Sequence, residues 1–373
     1  MKIDGLPHRF LFPIVGLTIP FEWSVGGVTL YPPGQASRLI ESVRATEGKV
    51  GRTEPIDELI DKAFGAPLDK STVVEVTALD EVVAYEHAAD VLGVLRLFAA
   101  HRHPMVNTEQ QTFGLPSEVV PWRVDYLDLD TGPGLGFFRG GPAPFWTFLD
   151  EDLAAFDDHE GFQWLANAYA RTGHDGDVLP DRMMLGTRLL STAILDFDSS
   201  DRKLLTIATA LEVMLGEPQW HNKGLGIARR ASFLSCSMPG QTMCGRDRPS
   251  CHYLSLDPNP KRPPALNDLL AWADEGPGGQ CSSYLAIRDL YRHRNNAVHD
   301  GRSGLSMSEV RSEAWKLMNW LVPPLLTWCS EHDGDDLSAL DQEIEQVVLK
   351  RPPTWDVPQS STQRAVWGDS SSE

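Results

Sequence analysis

The stretch Ile287-Arg-Asp-Leu-Tyr-Arg-His-Arg-Asn-Asn-Ala-Val-His-Asp-Gly301 carries most of the information in this chain. Counted from Ile287, the apolar residues Leu290, Tyr291, Ala297 and Val298 fall at offsets of 3, 4, 10 and 11, the spacing of one buried face on a helix. Arg294 falls at offset 7, on that same face, where a core helix ordinarily carries an apolar side chain. Arg288, Arg292, Asn295 and His299 surround it, and Asp289 offsets only part of the positive charge.

Helical geometry constrains what these residues can do. Asn295 and His299 are four apart, so their side chains are expected to meet, with the amide orienting the imidazole. Arg294 lies one position earlier, about 100° around the helix from Asn295. A histidine can take or give the proton of a ribose 2′-hydroxyl. A guanidinium can hold the charged phosphorane through two parallel hydrogen bonds. Arg294 and His299 are therefore the candidate catalytic pair, with Asn295 as orienting residue. Arg288, Arg292 and Arg302 are candidates for holding a phosphate backbone. In-line cleavage wants an acid and a base, and one helix supplies one well-placed histidine. Two copies facing each other would supply both.

Working outward, the neighbouring segments also read as helices. Phe162 to Arg171, Arg182 to Leu195, Arg202 to Leu215 and Lys223 to Leu234 have helical periodicity. Ser199-Ser200-Asp201 supplies a cap for the third of these, and Gly216 a stop. Ser306-Met-Ser-Glu309 is a capping box for a helix holding Trp315, Leu317, Met318, Trp320 and Leu321, which Pro323-Pro324 must bend or end. Leu337 to Leu349 is a short amphipathic helix. Residues 236–265 read as an insertion loop, and residues 351–373 as a disordered Pro/Ser-rich tail. Glu212 sits among Leu211, Val213 and Leu215 on an apolar helix. A buried carboxylate needs a partner, and Arg229 or Arg230 is expected to supply it as a structural ion pair.

Arg294-Asn295-x-x-x-His299 resembles the Arg-polar-x-x-x-His signature of HEPN domains. The wider phrase Leu290-Tyr291-x-x-Arg294-Asn295-x-x-Val298-His299-x-Gly301 is similar to the ApeA-like branch of that family. Ala210-Leu-Glu-Val-Met-Leu215 and Ile227-Ala-Arg-Arg-Ala231-x-x-Leu234 resemble the same branch's earlier helices, in the same order. The resemblance covers roughly residues 185–330. It implies a helical bundle of four to five helices and dimerisation through the motif face. It also implies RNA cleavage without metal or cofactor, by 2′-hydroxyl attack to a 2′,3′-cyclic phosphate, in phage defence or a toxin–antitoxin-like system. Two departures stand out: the loop between the second and third blocks is long and bears cysteines, and Asp300 takes the place of the glycine after the histidine. The rival reading is a non-catalytic module that binds RNA or scaffolds another effector.

Before this domain the chain changes texture. Phe10 to Tyr31 gives two β-rich runs with Gly26-Gly27 available for a turn. Val73 to Val76 alternates as a strand, and Tyr85 to Ala100 has helical spacing at Ala88, Val91, Leu92, Leu95 and Phe98. Trp122 to Phe148 reads as strands broken by glycines. The expected organisation is an α+β region over 1–157, an all-α HEPN-type bundle over 158–332, and a short helix with a tail over 333–373.

The chain's 373 residues carry a net charge of −19, which argues against unspecific coating of nucleic acid. Residues 219–304 nonetheless hold 11 Lys and Arg against 7 Asp and Glu, compatible with a local anion site on an acidic body. The acidic N-terminal region is expected to shield the site or to offer a surface to a basic protein partner. No run of about 20 apolar residues exists, so no membrane span is expected. Five sparse cysteines fit a reducing, cytoplasmic setting. Cys236, Cys244, Cys251 and His252 lack the close pair of a zinc knuckle, and read as unpaired loop thiols and a neighbouring histidine. His101-Arg102-His103 reads as a favourable cationic helix end, and Asp125, Asp128 and Asp130 as a solvated strand end. Gly132-x-Gly134-x-Gly136 lacks the third glycine of a dinucleotide fingerprint, and neither a P-loop nor a nucleophile elbow occurs.

Overall fold

The computed structural model describes residues 7–35, 72–103, 113–115, 124–128, 132–136, 146–168, 178–195, 199–236, 251–255 and 281–350. Cys244, Asp130, Arg171, most of the expected insertion loop and the tail at 351–373 lie outside these. The fold is α+β, and the chain divides into two compact units, 1–171 and 172–373.

The first unit is built on a four-stranded antiparallel sheet. Its strands are β1 (His8–Ile14), β3 (Trp23–Val25), β4 (Val28–Tyr31) and β5 (Thr72–Ala78), in the order β1-β5-β4-β3. β2 (Leu17–Thr18) instead pairs in parallel with the later β8 (Trp146–Thr147). The β3–β4 hairpin turns at Gly26 and Gly27, with Val25 opposite Val28. Both glycines have positive φ, 57° and 80°, as a two-residue turn matching strand twist requires.

Helix α1 (Glu81–Arg102) follows, capped by Asp80, whose carboxylate accepts from the Val83 N–H. Ala88, Val91, Leu92, Leu95 and Phe98 are all buried. His87 reaches back to the hairpin, its Nε2 2.6 Å from the Gly26 carbonyl. β6 (Val124–Asp128) and β7 (Gly132–Gly136) pair antiparallel; nothing is described of the side chains there, Asp125 and Asp128 included.

Helices α2 (Asp150–Asp157) and α3 (Glu160–Ala166) belong to this first unit. The reason is aromatic packing: Phe98 of α1 meets Phe156 and Phe162 edge to face, with centroids at 5.0 and 5.3 Å. The division after residue 171 thus falls later in the chain than the expected one after 157.

The second unit is mainly helical. Its elements are α4 (Val178–Leu195), α5 (Ser200–Leu215), α6 (Lys223–Ser235), a 3-10 turn (His252–Ser255), α7 (Ser282–Asp300), α8 (Met307–Trp320), α9 (Val322–Glu331) and α10 (Leu337–Leu349). Ser199 caps α5 by accepting from the Arg202 N–H. The capping box at Ser306 is complete: Ser306 Oγ accepts from the Glu309 N–H, and Glu309 Oε2 accepts from the Ser306 N–H at 2.8 Å. α8 ends at Trp320 and α9 restarts with proline in its first turn, where the missing N–H costs no helical bond.

The C-terminal carbonyls of α5 are satisfied by a half-buried arginine and a fully buried one. Arg182 of α4 donates to the Val213 and Gly216 carbonyls, and Arg230 of α6 donates to the Leu215 carbonyl at 2.7 Å. Arg230 is 1% exposed. It also meets Asp341 of α10 at 2.6 Å and Glu217 at 2.9 Å, with its guanidinium 4.6 Å above the Trp220 ring. α10 is therefore part of this unit rather than an appendage to it. Among the described residues no helix is long and apolar enough to cross a membrane.

Candidate active site

Helix α7 packs on α5 and α6 through Tyr284, Ile287, Leu290, Tyr291 and Ala297. The approach to α6 is close at Gly224, where a Cβ would stand 2.9 Å from the Tyr291 ring. Tyr291 Oη lies 3.5 Å from the Ala208 carbonyl of α5. Burial, with the nearby Glu212 carboxylate adding to it, raises the Tyr291 phenol pKa above its usual value. Gly301 ends the helix in the left-handed conformation, φ 73°. Val298 departs from the expected buried face: it is 50% exposed, on the last turn of the helix.

Arg294 keeps its place on the packed stripe, one third exposed, and finds a carboxylate there. Its Nη2 is 3.5 Å from Glu212 Oε1, and Lys223 Nζ is 3.0 Å from Glu212 Oε2. This corrects the expected partnership of Glu212 with Arg229 or Arg230. The face of α5 that carries Glu212 looks onto α7 and the start of α6. Arg229 instead donates to the Leu254 carbonyl at 2.9 Å, and Arg230 engages Asp341 and Glu217.

Asn295 also departs from its expected role. Its Oδ1 accepts from Arg294 Nη1 at 3.3 Å, so it extends the arginine's network rather than orienting His299. Both Asn295 and His299 are exposed, where water competes for an amide–imidazole contact. Among the described residues His299 has no hydrogen-bond or ion-pair partner. It sits in the last turn of α7, where the helix dipole favours a cation. It lies five positions beyond Arg294, about 140° around the helix and about 7.5 Å along it. The two side chains therefore leave the helix on different sides.

The other arginines divide. Arg292 is exposed, pairs with Asp289 at 2.5 Å, and falls within about 20° of His299 around the axis. Arg302 is exposed just past the helix end. Arg288 does not join them: it lies beside Tyr284 toward the helix start, and desolvation lowers its pKa.

His293 is a residue that the sequence reading passed over. Its Nδ1 donates to the Ser303 carbonyl at 2.8 Å, and the Ser303 N–H donates to Asp201 Oδ1 at 2.7 Å. The Ser303 hydroxyl, with the Ser303 N–H, holds the Asp201 carboxyl below its usual pKa, and the two contacts of Ser303 act together. They tie the turn after α7 to the first turn of α5. The only sequence signal was a histidine next to the motif arginine.

Compared with protein-family models, with curated proteins and with solved structures, the chain finds no match.

Proposed function

We propose that the helical unit is a HEPN-type endoribonuclease that acts as a homodimer in the cytoplasm. The observation that supports this best is the pairing of a half-buried arginine with an exposed histidine on one helix. Arg294 is held by Glu212 with part of its guanidinium still open, while His299 is unencumbered at the helix end. The reaction would run by attack of a 2′-hydroxyl oxygen on the adjacent phosphorus, with the 5′-oxygen leaving. One His299 takes the 2′-hydroxyl proton, and His299 of the second copy gives a proton to the leaving oxygen. Arg294 holds the non-bridging oxygens as charge builds on them. Arg292 and Arg302 are exposed, as backbone contacts would require. Because Arg294 and His299 leave the helix on different sides, a composite site from two chains accounts for the motif better than one chain alone. A role in phage defence or a toxin–antitoxin-like pair is part of this proposal, as is a basic protein partner for the acidic first unit.

A second reading keeps the fold and drops the cutting. Glu212 offsets the charge of Arg294, and Asn295 is turned from His299. In this reading the face binds RNA or a partner without chemistry. Sedimentation of the purified chain separates the two readings cheaply: the nuclease reading expects a dimer, and a strict monomer would leave each His299 without its counterpart.

A further inference from the structure

Cys236, Cys251 and Cys281 are far apart in sequence and converge on one point of the helical unit. Cys236 closes the C-terminus of α6, Cys251 opens the 3-10 turn, and Cys281 is the N-cap of α7. Their side chains come close to one another: Cys251 to both others, and Cys281 to Cys236. None of the three is in a disulfide, and Cys251 and Cys281 are each 4% exposed. The surroundings brace the cluster. Leu254 N–H donates to the Cys251 carbonyl at 3.3 Å, Arg229 Nε donates to the Leu254 carbonyl, and the Tyr253 and Tyr284 rings meet at 4.6 Å, tilted by 39°.

The number and type of groups discriminate between uses. A disulfide would consume two sulfurs and strand the third in the interior. A soft cation uses three thiolates at once. Tetrahedral zinc with Zn–S bonds of about 2.3 Å holds its sulfurs about 3.8 Å apart, the contact range of thiols in hydrogen bonding. The thiols lie close together here, although as they stand no group of three His, Cys, Asp or Glu side chains among the described residues is arranged to hold a metal ion. Loss of the thiol protons and small side-chain rotations would convert contact into coordination.

We propose that Cys236, Cys251 and Cys281 are three thiolate ligands of a structural zinc ion that pins the start of α7 to the end of α6. The site is independent of the nuclease reading and goes beyond the expectation of unpaired loop thiols. Cys281 gave no signal in sequence because it lies outside the insertion that holds the others.

Elemental analysis of the full-length chain tests it. The expected result is about one zinc per chain, lost in Cys251→Ser and in Cys281→Ser and kept in Cys329→Ser, a buried thiol elsewhere in the unit. Should the serine variants not fold, the wild-type chain is stripped and reloaded with cobalt(II). A thiolate-to-cobalt charge-transfer band that saturates at one equivalent and is displaced by zinc supports the site. A metal-free chain that gives no such band overturns it. So does zinc that survives in both serine variants, or a disulfide joining two of the three in the freshly purified protein.

Discussion

Glu212 of α5 and Arg294 of α7 face each other at 3.5 Å, with Lys223 closing on the same carboxylate from the start of α6. One acidic side chain thus sets where the motif arginine points. With 18% of its side chain exposed, Glu212 is shielded enough for its position to matter and open enough to avoid the full cost of a buried charge. In the proposed reaction Glu212 is a positioning residue.

Its removal is expected to lower cleavage about tenfold through kcat, because a misaimed guanidinium loses transition-state contacts. Glu212→Gln should fold normally, and Glu212→Asp should recover part of the rate. A Glu212→Gln enzyme with unchanged kcat would remove it from the mechanism.

Arg230 joins α6 to α10 and to the end of α5. Arg230→Met leaves Asp341 and Glu217 without their shared cation and the Leu215 carbonyl without its donor. A loss of roughly 3–5 kcal/mol in unfolding free energy is expected, read from a denaturant titration. A loss under about 1 kcal/mol, the size of a surface pair, would show that the network carries little stability.

The hairpin at Gly26 admits no side chain. A Cβ there would stand 2.4 Å from the Ala166 carbonyl oxygen, on a backbone at φ 57°. Gly26→Ala should cost more than about 2 kcal/mol, since the obstacle is backbone and cannot rotate away. Hydrogen exchange should show faster opening of β3 and β4 in this variant, and wild-type protection would contradict the argument.

The first unit should weaken in mild acid. Burial, with His159 and Arg102 adding to it, lowers the His101 pKa from 6.5 to about 4. His87 and His159 are shifted the same way, again chiefly by burial. A depressed histidine pKa means that the unfolded chain binds the proton first. Stability is therefore held above pH 6.5 and lost as pH falls toward about 4, by at most about 3 kcal/mol for His101. His101→Phe, packed beside Phe162, should flatten that slope in denaturant melts. An unchanged slope would mean that another group sets it.

Local features were legible in sequence because neighbours along the chain decide them. The Ser306 capping box, the Ser199 cap, the Gly26-Gly27 turn and the stripe on α7 all answer to spacing. What escaped was decided by the meeting of distant elements. Glu212 took Lys223 and Arg294 because of how α5 faces α7. Asn295 turned to Arg294 because water competes at the exposed end of the helix. Phe156 and Phe162 drew α2 and α3 into the first unit through Phe98, and Cys281 joined two cysteines from another part of the chain. No spacing rule reaches across such gaps.

The central claim is that Arg294 and His299 cut RNA together. The direct measurement is cleavage of end-labelled RNA by the purified chain without added divalent cation, beside Arg294→Ala and His299→Ala, with product termini identified. The account predicts cleavage by the wild-type chain alone, leaving 2′,3′-cyclic phosphate ends, with the variants at least a hundredfold slower (on the order of 10²). Equal cleavage by all three folded, dimeric proteins would contradict it.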